Sequence, residues 1–336
     1  MQRKSGMNIG VIGSGSWATA MIKMLSDNQQ TKQIYWWVRK EADVEHIRRY
    51  KHNPSYLSSV AVDFEDEFVT SDLKQVFAQS NIIVLNTPAA YLKSVLEPLS
   101  ASDFAGKVIV SAIKGIVPGE NMVVGDYLAH VYQVPLEQIV VVGGPCHAEE
   151  VSSERLSYLT IASRTSDHAQ SVASLLETRY IKTILSSDII GIEYAAVLKN
   201  IFALAGGICH GLGFGDNFQA VLVSNAIREI DYFVEALDPS DRDINHSAYL
   251  GDLLVTAYSQ FSRNRTFGAM IGKGYSVKSA QVEMNMVAEG YYASACIQSI
   301  IAEHQLDMPI CQTVYQILYQ NGQPMQEIKK LAEKLT

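Results

Sequence analysis

Apolar positions in the first half of the chain come in short runs, each closed by a polar or glycine turn and followed by residues at helical spacing. Met7 to Ile12, Gln33 to Val38, Asn81 to Asn86, Lys107 to Ala112 and Gln138 to Gly143 are such runs, and each predicts a β-strand. Leu159 to Ala162 and Tyr180 to Thr183 extend the series. Strands that alternate with helices build an open, largely parallel sheet, so this half predicts an α/β domain. The pattern changes near Ser187-Asp188. Beyond it, apolar residues recur with a helical period over Ile192 to Leu204, Phe218 to Leu237, Ser247 to Tyr258, Ser276 to Glu303 and Pro309 to Tyr319, with a weaker final helix over Lys329 to Leu335. Glycines at Gly206-Gly207, Gly211 to Gly215 and Gly268 to Gly274 read as breaks between these helices. The expected organisation is a sheet domain over 1–188 followed by an all-helical domain over 189–336, with a cleft between them.

The first strand runs straight into a glycine turn, and that junction carries chemistry. Asn8 to Ala18 reads N-I-G-V-I-G-S-G-S-W-A, giving Gly13-x-Gly15-x-x-Ala18 before the helical stretch Trp17 to Leu25. The turn needs dihedrals that glycine adopts cheaply, the second glycine lets a phosphate approach the backbone, and a small third residue lets helix pack on strand. N–H groups at the helix start then meet the phosphate charge. Gly13, Ser14, Gly15, Ser16 and Trp17 are therefore the candidate cradle for a dinucleotide pyrophosphate, and the sheet domain is predicted to be Rossmann-like. Ligands of such sheets bind beyond the carboxyl ends of the strands, the rim that Thr87-Pro88, Lys114-Gly115 and Gly144-Pro145-Cys146-His147 occupy. The second strand ends in Trp37-Val38-Arg39-Lys40-Glu41, with a basic residue where an NAD site often has an acidic one. Arg39 either accepts the extra phosphate of NADP or lies against adenine, with Glu41 on the following helix.

Composition narrows the function classes. The chain has 336 residues, 48% of them hydrophobic and 18% charged, which fits a two-domain globular protein and excludes a disordered one. A formal net charge of -8 argues against a nucleic-acid surface, while leaving room for a local basic site. No uninterrupted apolar run reaches the ~18 residues expected of a membrane span. The basic start Met1-Gln2-Arg3-Lys4 leads directly into a strand, without the apolar run of a secretory signal, so a cytoplasmic protein is expected. Cys146, Cys209, Cys296 and Cys311 are too few and scattered for a disulfide scaffold or a zinc site, and no metal is expected.

Several residues in the second half ask for a role. Lys199 lies in the nearly all-apolar helical stretch Glu193 to Ala205, where an unpaired ammonium is costly. It pairs with a carboxylate, snorkels to water, or is catalytic. Asp252 and Thr256 are four apart and share a helical face, although Asp252 also reads as a cap or surface carboxylate. Ser262-Arg263-Asn264-Arg265 is either a solvated basic turn or a phosphate site, since the guanidinium fork matches phosphate oxygens. Lys114 is a rim lysine, and His147 sits in a sheet-edge loop that is more often structural.

Taken in order, these segments resemble the NAD(P)-dependent glycerol-3-phosphate dehydrogenases, especially the bacterial branch. The resemblance rests on Gly13 to Ala20, Trp37-Val38-Arg39, Lys114-Gly115, Gly144-Pro145-Cys146-His147-Ala148-Glu149-Glu150, Leu198-Lys199-Asn200 and Gly211 to Asn217. Gly251 to Thr256, Ser262 to Gly268, Glu289-Gly290 and Met308-Pro309-Ile310 complete it. It implies that Lys199 is the catalytic lysine, with Lys114 and Asp252 completing the polar centre. It implies substrate contacts from Lys114, Gly144, Asn200, Asp252, Thr256, Arg263 and Asn264. For the cofactor, NAD or NADP, it implies Arg39, Pro88, Lys114, Ala148, Arg263 and Glu289 beside the glycine turn. It further implies dihydroxyacetone phosphate and sn-glycerol 3-phosphate as substrate and product, a homodimer, no metal, no stable membrane insertion, and a role supplying glycerophospholipid synthesis.

The chain departs from the family pattern in places. Ala18 stands where glycine is common, Cys146 where Ser or Thr is usual, Ser224-Asn225-Ala226 where Thr-Arg-Gly is more usual, and Thr87-Pro88-Ala89-Ala90-Tyr91 replaces a Pro-Ser run. None touches the implied catalytic group. A 3-hydroxyacid or 6-phosphogluconate-type dehydrogenase is the rival enzyme, but those families commonly separate the catalytic lysine from its asparagine, and here Lys199-Asn200 are adjacent. A non-catalytic dinucleotide-binding regulator is the rival of another class, and loss of Lys199 or Asp252 would have favoured it.

Overall fold

The computed structural model describes residues 7–28, 33–62, 68–284 and 288–336; Met1-Gln2-Arg3-Lys4 lies outside them. The chain divides into two compact units. The first comprises residues up to 87 with 91–113 and 124–189, and the second takes 190–336 together with two earlier stretches, 88–90 and 114–123.

The first unit is built on alternating strands and helices. β1 (Asn8–Ile12), α1 (Ser16–Asp27), β2 (Gln33–Trp37), α2 (Glu41–Tyr50), β3 (Val69–Thr70), α3 (Leu73–Gln79) and β4 (Ile82–Leu85) open it. α4 (Ala89–Leu96), α5 (Ala101–Phe104) and β5 (Val108–Ser111) follow, and then a small antiparallel hairpin, β6 (Ile116–Val117) and β7 (Met122–Val123), which belongs to the second unit. α6 (Val124–Tyr132), β8 (Ile139–Gly143), α7 (Ala148–Ser152), β9 (Ser157–Ser163), α8 (Ser166–Leu176) and β10 (Ile181–Ser186) complete it. The sheet order is β10-β9-β8-β5-β4-β1-β2-β3, and every neighbouring pair is parallel except β8 and β9. The predicted Rossmann-like, largely parallel sheet is therefore present. Its central strands read as continuous apolar runs because helices cover both faces. Val11, Val84, Val110 and Val140 are buried with Met21 and Leu25 of α1 and Val172 of α8.

The second unit is helical: α9 (Ile189–Gly211), α10 (Asp216–Leu237), α11 (Asp252–Tyr258), α12 (Arg263–Gly272), α13 (Val277–Glu283), α14 (Glu289–His304), α15 (Pro309–Tyr319) and α16 (Pro324–Ala332). α9 is buried along almost its whole length, with Glu193, Lys199 and Asn200 as polar residues among apolar ones, and forms its core. An 18-residue window of α9 is long and apolar enough to cross a membrane, but 94% of that window is buried inside the protein, as in the core helix of a soluble protein.

The helix boundaries differ from the sequence pattern where backbones touch. Gly206-Gly207 does not break a helix; α9 runs through it to Gly211. A Cβ at Gly207 or Gly211 would collide with the backbone oxygens of Arg265 and Ala269 in α12, and one at Gly268 or Gly272 with those of Leu204 and Ile208 in α9. Helical glycine costs roughly 1 kcal/mol of propensity, and here it lets two helices cross at backbone contact. Gly268 likewise lies inside α12. The predicted helix over Ser276 to Glu303 is two helices, α13 and α14, and residues 285–287 of that span lie outside the described residues. Only Ala280 of α13 is buried, so the two segments share no continuous apolar stripe. The final helix begins earlier than predicted, with Pro324 in its first turn, a position where proline's fixed φ favours a start. Ser247 to Gly251 is a turn of π-helix that leads into α11.

Candidate active site

The glycine turn of the first unit fits a dinucleotide. Gly13 has φ +129, and a Cβ there would sit 2.9 Å from the Asn86 carbonyl oxygen. A Cβ at Gly15 would meet nothing within 4 Å, so that backbone is open to a ligand. Gly15 is the N-cap of α1 and makes no side-chain cap hydrogen bond, so the start of the helix is the end that suits a phosphate. Trp36 Nε1 donates to the Gly13 carbonyl at 2.6 Å, and the buried Asn53 amide donates to the Ser14 carbonyl and to Thr19 Oγ1, each at 2.9 Å. The turn is thus held rigid from two sides. Just beyond β4, Asn86 Oδ1 and Thr87 Oγ1 are buried without a hydrogen-bond partner among the described residues, polar atoms that a ligand could satisfy. Arg39 is exposed just past the end of β2, while the Glu41 carboxylate accepts the Ser71 hydroxyl. Gly144 follows β8 with φ +101, and Ala148 opens α7, which packs on α1.

The second unit gathers a buried polar centre. Lys199 is 4% exposed on α9 and Asp252 1% exposed at the start of α11. The Lys199 ammonium donates to Asp252 Oδ1, and the Lys114 ammonium donates to Oδ2 at 3.2 Å. Asp252 is therefore neither a surface carboxylate nor a simple cap. Around it the amides form a chain. Asn200 Nδ2 donates to the Lys114 carbonyl at 2.8 Å, Asn264 Nδ2 donates to Asn200 Oδ1 at 2.9 Å, and Gly290 N donates to Asn264 Oδ1 at 2.9 Å. The α9–α12 glycine contact brings Asn264 to Asn200. Thr256 is buried one turn beyond Asp252, and its hydroxyl donates back to the Asp252 carbonyl at 2.6 Å. Arg263 is the first residue of α12, whose N-cap Ser262 accepts from Arg265 N. Ala89 N donates to Glu289 Oε1 at 3.1 Å.

Burial and charge set the protonation of this centre. Burial pushes the Lys199 ammonium down to about 7, with Asp252 opposing and Lys114 adding to the shift. Burial alone would raise Asp252, but the two ammoniums outweigh it and hold the carboxyl below its usual range. Burial raises Glu289 to about 7, against the Ala89 N–H and the Arg263 charge, which favour the carboxylate.

Of the residues singled out in the sequence, Lys114, Lys199, Asn200, Asp252, Thr256, Arg263, Asn264 and Glu289 all fall in the second unit, as does Pro88. Gly13 to Trp17, Arg39, Gly144 and Ala148 fall in the first. The sequence pattern gave no hint of Asn53 as a support of the glycine turn. It placed Thr87 and Gly115 on the rim, but not the buried Asn86 and Thr87 oxygens or the close packing at Gly115, where a Cβ would lie 2.7 Å from Ala89 Cβ. Isolated polar residues in loops have no periodicity to mark them. Among the described residues no group of three or more His, Cys, Asp or Glu is placed to hold a metal ion.

Comparisons with known proteins agree along the whole chain. Residues 8–169 match the N-terminal family of NAD-dependent glycerol-3-phosphate dehydrogenase, and residues 188–329 match its C-terminal family. A glycerol-3-phosphate dehydrogenase (NAD(P)+) of Salinibacter ruber is 32% identical over 96% of this chain and 94% of its own. One from an Exiguobacterium species is 34% identical over 97% of this chain and 95% of its own. The crystal structure of glycerol-3-phosphate dehydrogenase from Coxiella burnetii superposes with a TM-score of 0.89 at 27% identity, covering 97% of this chain and 99% of that one. With a Rossmann-like nucleotide sheet and full-length relatives of one kind, the chain belongs to the NAD(P)-dependent glycerol-3-phosphate dehydrogenase family of oxidoreductases.

Proposed function

We propose that the chain interconverts dihydroxyacetone phosphate and sn-glycerol 3-phosphate, with Lys199 as the proton donor and acceptor. The observation that carries this reading is the buried Lys199–Asp252–Lys114 centre joined through Asn200 and Asn264 to the start of α12. In the reducing direction the C2 carbonyl oxygen gains negative charge as hydride arrives at carbon. An ammonium at that oxygen stabilises the charge and passes its proton to the new alcohol. A lysine whose pKa lies near 7 can give up that proton and regain it from solvent near neutral pH. Asp252 orients the ammonium and offsets the cost of burying it, and Lys114 adds positive field. Arg263 and Asn264 hold the substrate phosphate, so binding energy from a non-reacting group places C2 for the reaction. Thr256 and Gly144 complete the substrate contacts.

The bound nicotinamide supplies or accepts the hydride. Gly13 to Trp17 hold its pyrophosphate, with Pro88, Ala148, Lys114, Arg263 and Glu289 as further cofactor contacts. Arg39 lies exposed just past β2, so NADPH is accepted alongside NADH. The protein acts in the cytoplasm as a homodimer and supplies sn-glycerol 3-phosphate for glycerophospholipids. Light scattering at micromolar concentration tests the dimer, and a mass near 37.1 kDa would rule it out.

The deciding experiment compares dihydroxyacetone phosphate with unphosphorylated dihydroxyacetone in cofactor-oxidation assays. The phosphorylated substrate is expected to be turned over with far higher kcat/KM. Equal turnover of the two compounds would remove the basis for this substrate.

A further inference from the structure

The Lys114 backbone is gripped from two directions. Its carbonyl accepts the Asn200 side chain at 2.8 Å. On the other side, the next residue, Gly115, lies beneath Glu289 and Ala89. A Cβ at Gly115 would sit 2.8 Å from Glu289 Oε2 and 2.7 Å from Ala89 Cβ, so only glycine lets those two groups close over this backbone. Glu289 Oε1 holds Ala89 in place by accepting its N–H at 3.1 Å, across 200 residues of sequence. Glu289 is itself fixed at the start of α14, where the adjacent Gly290 N–H is bound by Asn264. A Cβ at Gly290 would lie 2.6 Å from the Asn200 carbonyl oxygen, so this junction is also in backbone contact. The contacts close a ring: Lys114, Asn200, Asn264, Gly290, Glu289, Ala89 and back to Gly115.

We propose that Glu289 and Gly115 are positioning residues that lock the Lys114 backbone, so that the lysine ammonium stays on Asp252. The inference rests on the proposed reading of Lys114 as part of the substrate centre. Lys114 reaches Asp252 at the end of a flexible four-carbon stem, and its side chain is 19% exposed. Such a stem keeps one geometry only if its root is fixed. Misplacement by about 1 Å near a reacting centre can cost ~100-fold in rate. Loss of the Glu289 carboxylate leaves the Ala89 N–H unpaired and loosens the cover over Gly115. A methyl group at Gly115 pushes the same cover away. Neither change touches the Lys199–Asp252 pair directly.

The test uses Glu289→Ala, Glu289→Gln, Gly115→Ala and the double variant Glu289→Ala/Gly115→Ala. Two properties are read: steady-state kinetics with dihydroxyacetone phosphate, and labelling of Lys114 by a small amine-acylating reagent, with exposed Lys278 as internal reference. Each alanine variant is expected to label Lys114 several-fold faster than wild type, with Lys278 unchanged. Each is expected to lose ~10- to 100-fold in kcat/KM, and in Gly115→Ala, which alters no cofactor contact, the NADPH dissociation constant is expected to stay within about threefold of wild type. Glutamine keeps an acceptor for Ala89 and restores most of both properties. The double variant is expected to be no worse than the poorer single, because both changes open one lock. Unchanged Lys114 labelling in Gly115→Ala and Glu289→Ala overturns the proposal, as does a multiplicative loss in the double variant. An effect confined to NADPH affinity also overturns it, making Glu289 a cofactor contact alone. If wild type fails to reduce dihydroxyacetone phosphate while the labelling follows expectation, the substrate reading falls and the backbone lock stands.

Discussion

Lys199 and Asp252, separated by 53 residues, form a buried ion pair in which a single carboxylate also receives the Lys114 ammonium. Two cations share one anion in a place nearly closed to water. That surplus of positive charge suits a phosphorylated, anionic substrate and a transition state in which an oxygen becomes negative. It also makes the centre sensitive to the loss of any member, because a buried charge left without its partner is expensive.

Replacing Lys199 by alanine is expected to lower kcat by ~100- to 10,000-fold, the usual range for a positioned proton donor. Asp252 keeps Lys114 as a partner, so the protein stays folded, and NADPH binding by fluorescence titration is expected to change little. Near-wild-type turnover would make Lys199 structural and leave Lys114 as the leading donor.

Asp252→Asn removes the anion that favours the Lys199 ammonium, so the lysine pKa falls below its wild-type value of about 7. Reduction of dihydroxyacetone phosphate needs the protonated lysine. The alkaline limb of its pH–rate profile is therefore expected near 7 in wild type and at lower pH in the variant, on top of a large loss of kcat. A limb that stays in place would assign that titration to another group.

Glu229, on α10, gives a stability prediction. Its carboxylate accepts Ile310 N at 2.7 Å and Cys311 N at 3.3 Å in the first turn of α15. Burial nevertheless raises its pKa from 4.5 to about 7. The folded protein thus binds more protons than the unfolded chain between those values. The stability this group contributes is fully present below pH 4.5 and is lost as pH rises through 7. Chemical denaturation of wild type and Glu229→Gln from pH 4 to 8 checks it. Across that window wild type is expected to lose up to roughly 3 kcal/mol relative to the glutamine variant. A constant difference between the two proteins would show that Glu229 does not titrate there.

Gly268→Ala is expected to destabilise the protein by about 1–3 kcal/mol although alanine is the better helix former, because the added methyl would press on the Leu204 carbonyl oxygen of α9. The same separation of α9 and α12 draws Asn264 from Asn200, so KM for the phosphorylated substrate should rise as well. Thermal melts and steady-state kinetics read the two effects, and a stabilised variant would contradict the backbone contact.

Local features are legible in the sequence. The glycine turn at Gly13 and Gly15, the buried apolar strands and the α9 pattern around Lys199 all depend on neighbours within a few residues. Periodicity and dihedral preference act at that range, so those elements fall where the pattern puts them. Two-residue strands such as β3, β6 and β7 carry too few residues to show a period. Gly206-Gly207 misled for a related reason. By itself it reads as a break; the approach of α12 accounts for Gly207, and the Gln219 side chain of α10 lies where a Cβ of Gly206 would be. The partners of Lys199 lay beyond periodicity: the residue pattern alone offers pairing, snorkelling or catalysis for a buried ammonium, and Lys114 and Asp252 entered as its partners only through the family resemblance. The choice fell to packing, which brought Asp252 from α11 and Lys114 from beyond β5 to the same point and closed the amide chain from Asn200 to Gly290. Side-chain types and local spacing state which groups can react; which of them meet depends on contacts between residues far apart along the chain, and those exist only once the helices have packed.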